Sequence, residues 1–156
     1  MIETERLFIR PLGPDDADEV HTVWGDPANE RFSGDWPTPK TVAHTRSYLA
    51  QGSTWGVWER ATGTFLGDCG LFFADEHGEW ELAYGFRRDR WGRGYASEAA
   101  LACVRYGFEE MGLSKIVADV DPANIGSVRV LEKCSFVRVG GAGDKLLYAV
   151  TPETLR

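Results

Sequence analysis

The stretch RWGRGYASEA, residues 90–99, constrains this chain more than any other. Two glycines bracket one arginine, and small residues then open a helical pattern. The first turn of a helix carries unpaired N–H groups and the positive end of the peptide macrodipole. Glycine there lets an anion reach the backbone, because no Cβ stands in the way. The spacing predicts a helix over about residues 94–111. Ala96, Ala99, Ala100, Cys103, Val104, Phe108 and Met111 form its apolar stripe and Gly112 its end. The basic cluster Arg87, Arg88, Arg90 and Arg93 lies beside the glycines, where an anion would land.

What surrounds this turn sets the fold class. RLFIRPL alternates and reads as a strand. GPDDADEVHTVWGD reads as a helix ending near Gly25. TPKTVAHTRSYLAQG reads as a second helix, opened by Thr38 or Pro39 and closed by Gly52. TWGVWER, TFLGDCGLFF and EWELAYGFR form a three-strand meander. After the long helix come the strand KIVADV, a short helix NIGSVRVLEKCS capped by Asn124, and a hairpin of FVRVG and KLLYAVT. The order is β-α-α-β-β-β-α-β-α-β-β. It predicts an α/β fold: a mixed, mostly antiparallel sheet of about seven strands with four helices, and a parallel crossover around the long helix.

Length and composition narrow the function. At 156 residues, with no repeat or linker, residues 1–156 are expected to form one domain with a real core. The formal charge of −7 argues against a general nucleic-acid surface and suits a cationic or amine substrate. No basic segment precedes an apolar run, and no window of about 18 apolar residues exists. Neither a signal peptide nor a membrane span is expected. Cys69, Cys103 and Cys134 are odd in number and widely spaced, as reduced core cysteines of a cytoplasmic protein would be. His21, His44 and His77 share no ligand spacing, so no metal site is expected.

Between residues 79 and 136 the motifs combine. WGRGYASEA is similar to an aromatic-Gly-x-Gly-Tyr-Ala pattern, and NIGSVRVLEKCSF to an Asn-x-x-Ser…Glu-Lys-x-Gly-Phe pattern. ELAYGF is similar to a Glu-x-Gly-Tyr strand, with Ala83 and Gly85 as departures. Together, in this order, they resemble the GNAT superfamily of acyl-CoA-dependent N-acetyltransferases. Within it they look most like the RimJ/RimL branch, the ribosomal-protein N-terminal acetyltransferases. The order of elements matches over nearly the whole chain.

The resemblance implies acetyl-CoA as co-substrate and a cytoplasmic acyltransferase that moves an acetyl group directly to a primary amine. The backbone of Trp91, Gly92, Arg93, Gly94, Tyr95 and Ala96 would hold the coenzyme pyrophosphate. The strand edge at Tyr84, Gly85 and Phe86 would pair with the pantetheine, and a backbone N–H there would polarise the acyl carbonyl. Glu81 is the first candidate base, acting directly or through water, and Glu79 the second; both fall on one strand face. Each also reads as an ordinary solvated or cross-strand paired glutamate. Ser127 would face the leaving thiol. Asn124 is a cofactor-side group, the helix cap, or both. Where many superfamily members place an acidic tyrosine in the late helix, this chain has Leu131. Cys134 has no histidine or base at motif spacing to support a covalent acetyl-cysteine. Ser135 replaces a glycine, which would strain it if its φ is positive.

The acceptor is expected to be a peptide or protein N-terminus or a small-molecule amine such as an antibiotic. Trp24, Phe32 and Trp36, amid Asp26, Glu30 and Asp35, could make a pocket for it. They read first as core aromatics beneath a solvated acidic loop. A homodimer is a further expectation; nucleic acid and membrane are not expected partners. Two alternatives stay open. A non-catalytic acyl-CoA sensor would share this fold. A nucleotide binder is suggested by GRGYAS with Asp119 following, but the antiparallel meander and the missing βα repeats oppose it.

Overall fold

The computed structural model describes residues 1–27, 41–52 and 54–156. Chain order gives β1 (Ile2–Glu3), β2 (Leu7–Pro11), α1 (Ala17–Trp24), α2 (Val42–Leu49), β3 (Trp55–Glu59), β4 (Phe65–Ala74) and β5 (Glu79–Phe86). It continues with α3 (Tyr95–Glu109), β6 (Ile116–Val120), α4 (Ile125–Lys133), β7 (Val137–Ala142) and β8 (Lys145–Val150). One eight-stranded sheet runs β1-β2-β3-β4-β5-β6-β8-β7. The strand beyond the expected seven is the two-residue β1, which folds back on β2 through Ile2↔Ile9 and Glu3↔Phe8. So short a strand leaves no alternation to read.

Every pairing is antiparallel except β5 with β6. That parallel pair registers at Glu81↔Val117, and α3 is its crossover. Helix α3 lays Ala99, Ala100, Cys103 and Val104 on one face of the sheet, against Leu66, Cys69, Leu82 and Phe86. Helices α1 and α2 cover part of the other face with Ala17, Val20, Val23 and Leu49, which meet Leu12 and Phe65. At the last turn of α3 the stripe departs from expectation. Met111 lies past the helix and is 37% exposed, while Gly107 is the buried residue. A Cβ on Gly107 would stand 2.7 Å from Leu71 Cδ1 and 3.0 Å from Ile116 Cδ1, so any larger residue would have to push these side chains aside.

Local chemistry accounts for the helix ends. Thr41 caps α2, its hydroxyl accepting the His44 N–H at 3.2 Å. The expected openers Thr38 and Pro39 lie outside the described residues. Asn124 Oδ1 caps α4 by accepting the Ser127 N–H at 3.1 Å. Ser135 has φ 67°, the strain expected of a residue replacing glycine. Its Oγ accepts the Arg156 N–H at 3.2 Å. Among the described residues no helix is long and apolar enough to cross a membrane.

Candidate active site

The β4–β5 register decides which backbone groups of β5 are free. Arg87 donates its N–H to the Leu66 carbonyl at 2.8 Å, and Asp68 pairs with Gly85. By strand alternation, Gly85 turns its N–H and C=O toward β4, and Tyr84 and Phe86 turn theirs toward β6. Strands β5 and β6 register at Glu81↔Val117, three residues before Tyr84. Tyr84 and Phe86 thus present backbone polar groups to the gap between the two strands. The Phe86 carbonyl is taken by Trp91 Nε1 at 2.9 Å, which ties the glycine turn to the end of β5.

The backbone of the turn gives its glycines a second reason. Gly92 and Gly94 adopt φ 79° and 81°, in the left-handed region where glycine is favoured. Gly94 is the residue before α3 and has no side chain to cap it. Among the described residues, no acceptor serves the N–H groups of Gly94, Tyr95 or Ala96. Arg90 Nε is buried with no hydrogen-bond partner among them either. Unpaired donors around two glycines are the arrangement in which a backbone can receive an anion.

One buttress of this cradle has no signal in local sequence. Arg6, on the approach to β2, donates from Nη1 to the Arg93 carbonyl at 2.9 Å and from Nε to Glu98 at 2.7 Å. Its guanidinium lies 4.4 Å from the centre of the Tyr95 ring, whose hydroxyl donates to Glu59. Positions 6 and 98 meet only because β2 runs past the start of α3.

Across the gap stands α4. Ser127 Oγ and the Tyr84 hydroxyl lie 2.6 Å apart, and Tyr84 also reaches the Ser127 carbonyl at 3.3 Å. Burial pushes the Tyr84 phenol well above its ordinary range, so it stays protonated. Asn124 spends its side-chain oxygen on the cap. Leu131 is 1% exposed within the main core, so a tyrosine there would have to displace core side chains rather than point into the gap. Burial raises the Cys134 thiol to about 11, which leaves it protonated and unreactive near neutrality.

The two candidate bases separate. Glu79 lies at the rim with Lys115, 3.4 Å away. Glu81 is 6% exposed, and its Oε2 is buried without a hydrogen-bond partner among the described residues. His77 Nε2 lies 3.8 Å from that oxygen and 3.3 Å from Asp119 Oδ2. Side chains of Glu76, His77, Glu81 and Asp119 bring their polar atoms within 4.8 Å of one another. Burial first, then repulsion from Asp119, lifts the Glu81 carboxyl to about 7, with His77 pulling the other way. His77 and Asp119 were not legible as partners of Glu81. Asp119 lies 38 positions beyond Glu81, and only the parallel crossover brings it near. Glu81 and Gly85 share a face about 13 Å apart along the strand, at roughly 3.3 Å per residue. That separation calls for water between Glu81 and any group reacting at the gap.

Of the three acceptor aromatics, Phe32 and Trp36 lie outside the described residues. Trp24 ends α1 and donates from Nε1 to Asp68 Oδ1 at 2.8 Å. Asp68 carries no motif in the sequence; only the fold brings it to Trp24.

Residues 6–137 match the family model described as an acetyltransferase (GNAT) domain. An uncharacterized N-acetyltransferase p20 of Bacillus licheniformis is 32% identical over 148 residues, covering 88% of this chain and 82% of that protein. The crystal structure of an acetyltransferase of the GNAT family from Bacillus anthracis superposes with a TM-score of 0.86 at 28% identity, covering 97% and 98% of the two chains. The structure of AAC(6')-Ib in complex with ribostamycin and coenzyme A shares the fold, with a TM-score of 0.80 at 19% identity and 96% of each chain covered.

Proposed function

This chain belongs to the GNAT acetyltransferase family, and from that premise we propose that it moves an acetyl group from acetyl-CoA to a primary amine. The observation that carries this reading is one juxtaposition. The open backbone edge of β5 at Tyr84 and Phe86 ends in the glycine cradle at the start of α3. A molecule with an amide-bearing arm and a pyrophosphate fits both at once. The arm satisfies the strand edge, and the pyrophosphate meets the free N–H groups and Arg90.

The roles of the side chains follow from their places. Acetyl-CoA, when bound, supplies the activated acetyl group; a C–N bond forms as the C–S bond breaks, and the proton the nitrogen then loses goes to the departing sulfur. Glu81 takes the acceptor's ammonium proton through water, since a carboxyl near 7 is matched to neutral pH. Backbone N–H groups of Tyr84 and Phe86 face the gap, where they can stabilise charge on an oxygen. Ser127 lies across the gap with the neutral Tyr84 hydroxyl beside it. Bonded to each other, the two hydroxyls keep one O–H free to donate to a departing thiolate, the role that Leu131 leaves unfilled. The RimJ/RimL branch is part of this reading, on the strength of WGRGYASEA and NIGSVRVLEKCSF, and so is a cytoplasmic location, on the three free, buried cysteines. A single domain belongs to it too.

The direct test is thiol release from acetyl-CoA with a panel of primary amines, beside thermal protection by acetyl-CoA and by NAD. Protection by acetyl-CoA with amine-dependent thiol release supports the proposal. Protection without release identifies an acyl-CoA sensor, and protection by NAD a nucleotide binder.

Ser127→Ala tests the thiolate side. It is expected to lower kcat by about ten- to a hundredfold, roughly 1.4 to 2.7 kcal/mol of transition-state stabilisation. The Kd for acetyl-CoA should barely change, because Ser127 donates its backbone N–H to Asn124 with or without its hydroxyl. Equal losses in rate and binding would make it a positioning residue instead.

A further inference from the structure

Asp68 occupies an unusual place in the sheet. It lies in β4 with a glycine opposite it on each side, Gly56 in β3 and Gly85 in β5. On the β5 side no other side chain among the described residues stands over Gly85 beside it. A Cβ built on Gly85 would meet Asp68 Oδ1 at 3.5 Å and no other atom of the described residues within 4 Å. On the β3 side, Trp58 and Leu12 fill the space over Gly56. The carboxylate is therefore open toward Gly85, whose neighbours Tyr84 and Phe86 turn their backbone groups into the gap. It stands on the face that carries α1 and α2, opposite α3.

Trp24 fixes its direction. The indole N–H reaches Asp68 Oδ1 at 2.8 Å, and the Trp24 ring packs edge-on against Tyr48, with centroids 6.5 Å apart. An acid and two aromatic rings at one corner are the chemistry of cation recognition. Neither the indole N–H nor glycine neighbours neutralise a carboxylate. Burial accordingly raises its pKa to about 6, with the Trp24 hydrogen bond opposing. A cation beside it would remove that penalty.

We propose that Asp68, oriented by Trp24, is the acceptor's cation anchor, holding the ammonium form of a primary amine beside Gly85 at the mouth of the β5–β6 gap. This rests on the acetyltransferase reading above and names its substrate class: amines that enter protonated, such as alkylamines and free peptide N-termini. Neutral arylamines fall outside that class. Glu81, on the same face, then takes the proton through water, and the free amine is left at the gap.

The test compares benzylamine, charged at neutral pH, with aniline, which is uncharged, in wild type and Asp68→Asn. Asparagine keeps the shape and the oxygen that accepts from Trp24, so the fold should hold. The KM for benzylamine is expected to rise about ten- to a hundredfold, as for loss of a charge-assisted hydrogen bond. The KM for acetyl-CoA and any turnover of aniline should stay unchanged. Trp24→Phe, which keeps a ring and loses the N–H, should raise the benzylamine KM less, with kcat held. Equal effects on the two amines, or none, would overturn the anchor. Calorimetric binding of benzylamine to the free protein needs no turnover. Weaker binding to Asp68→Asn supports the anchor even if no amine is acetylated, an outcome that would sink the catalytic reading alone. Equal binding to both proteins, or none to wild type, overturns it.

Discussion

Gly94→Val is expected to weaken acetyl-CoA binding by about a hundredfold, equivalent to roughly 2.7 kcal/mol. Two costs fall on one residue. Gly94 has φ 81°, where a β-branched side chain is a genuine outlier. A Cβ there would also lie 3.4 Å from Arg6 Nη2, already at contact distance, so that the γ methyls of valine press on it. That guanidinium cannot swing away cheaply, because Glu98 and the Arg93 carbonyl hold it. Relief therefore has to come from the turn, and the turn carries the N–H groups meant for the pyrophosphate. Gly92 has a similar φ, 79°, but open space around it. Gly92→Ala is strained without being crowded, and it should lose distinctly less affinity. Isothermal titration of acetyl-CoA into each variant separates strain from crowding. Wild-type affinity in Gly94→Val would remove the anion cradle from the account.

Those two glycines were legible because their meaning is local. A glycine turn before a helix, an asparagine cap at 124 and a strained Ser135 each depend on a few neighbouring residues, and each stands where the sequence put it. The order of elements was legible for the same reason, with β1 too short to leave a pattern. Met111 failed as a stripe residue because helical periodicity knows nothing of how near the sheet lies; Gly107 is set by Leu71 and Ile116 pressing on it. The site was legible in part. Glu81 and Ser127 could be named from motifs. Their escorts could not: Tyr84 meets Ser127 across 43 positions, Trp24 meets Asp68 across 44, and His77 meets Asp119 across 42. Such contacts exist only after the sheet has ordered its strands. The raised carboxyls at 68 and 81 are properties of burial, which a motif does not report.

Glu81→Gln should give opposite results for activity and stability. The Glu81 carboxyl titrates at about 7 in the folded protein, against an ordinary 4.5. As the base for an ammonium proton it works only when ionised. Wild-type kcat/KM should therefore fall as pH drops below about 7, and that limb should vanish in the variant along with about a hundred- to a thousandfold in rate. Coenzyme binding should stay nearly intact, since Glu81 lies four residues along the strand from Gly85 and further from the cradle. Stability moves the other way. Between pH 4.5 and 7 the folded chain holds this proton more tightly than the unfolded chain does. Folding stability is therefore lost as pH rises through that window and stays lost above it, by up to about 3 kcal/mol for a shift of this size. Glutamine fills the same space with no charge to bury, so at pH of about 8 the variant should melt higher than wild type while turning over far more slowly. Asp119 and His77 keep each other as partners in it, 3.3 Å apart. A variant that melts lower at that pH would show that ionised Glu81 is satisfied in the fold rather than stranded. One that matches wild-type rates from pH of about 6 to 9 would pass the role of base to solvent or to Glu79. Glu79 would have to break from Lys115 to take it, so its activity should then depend on salt. A buried carboxylate that costs stability at the pH where it is ionised is most simply explained by its use, and the melting curve and the rate profile of one substitution test both halves of that explanation.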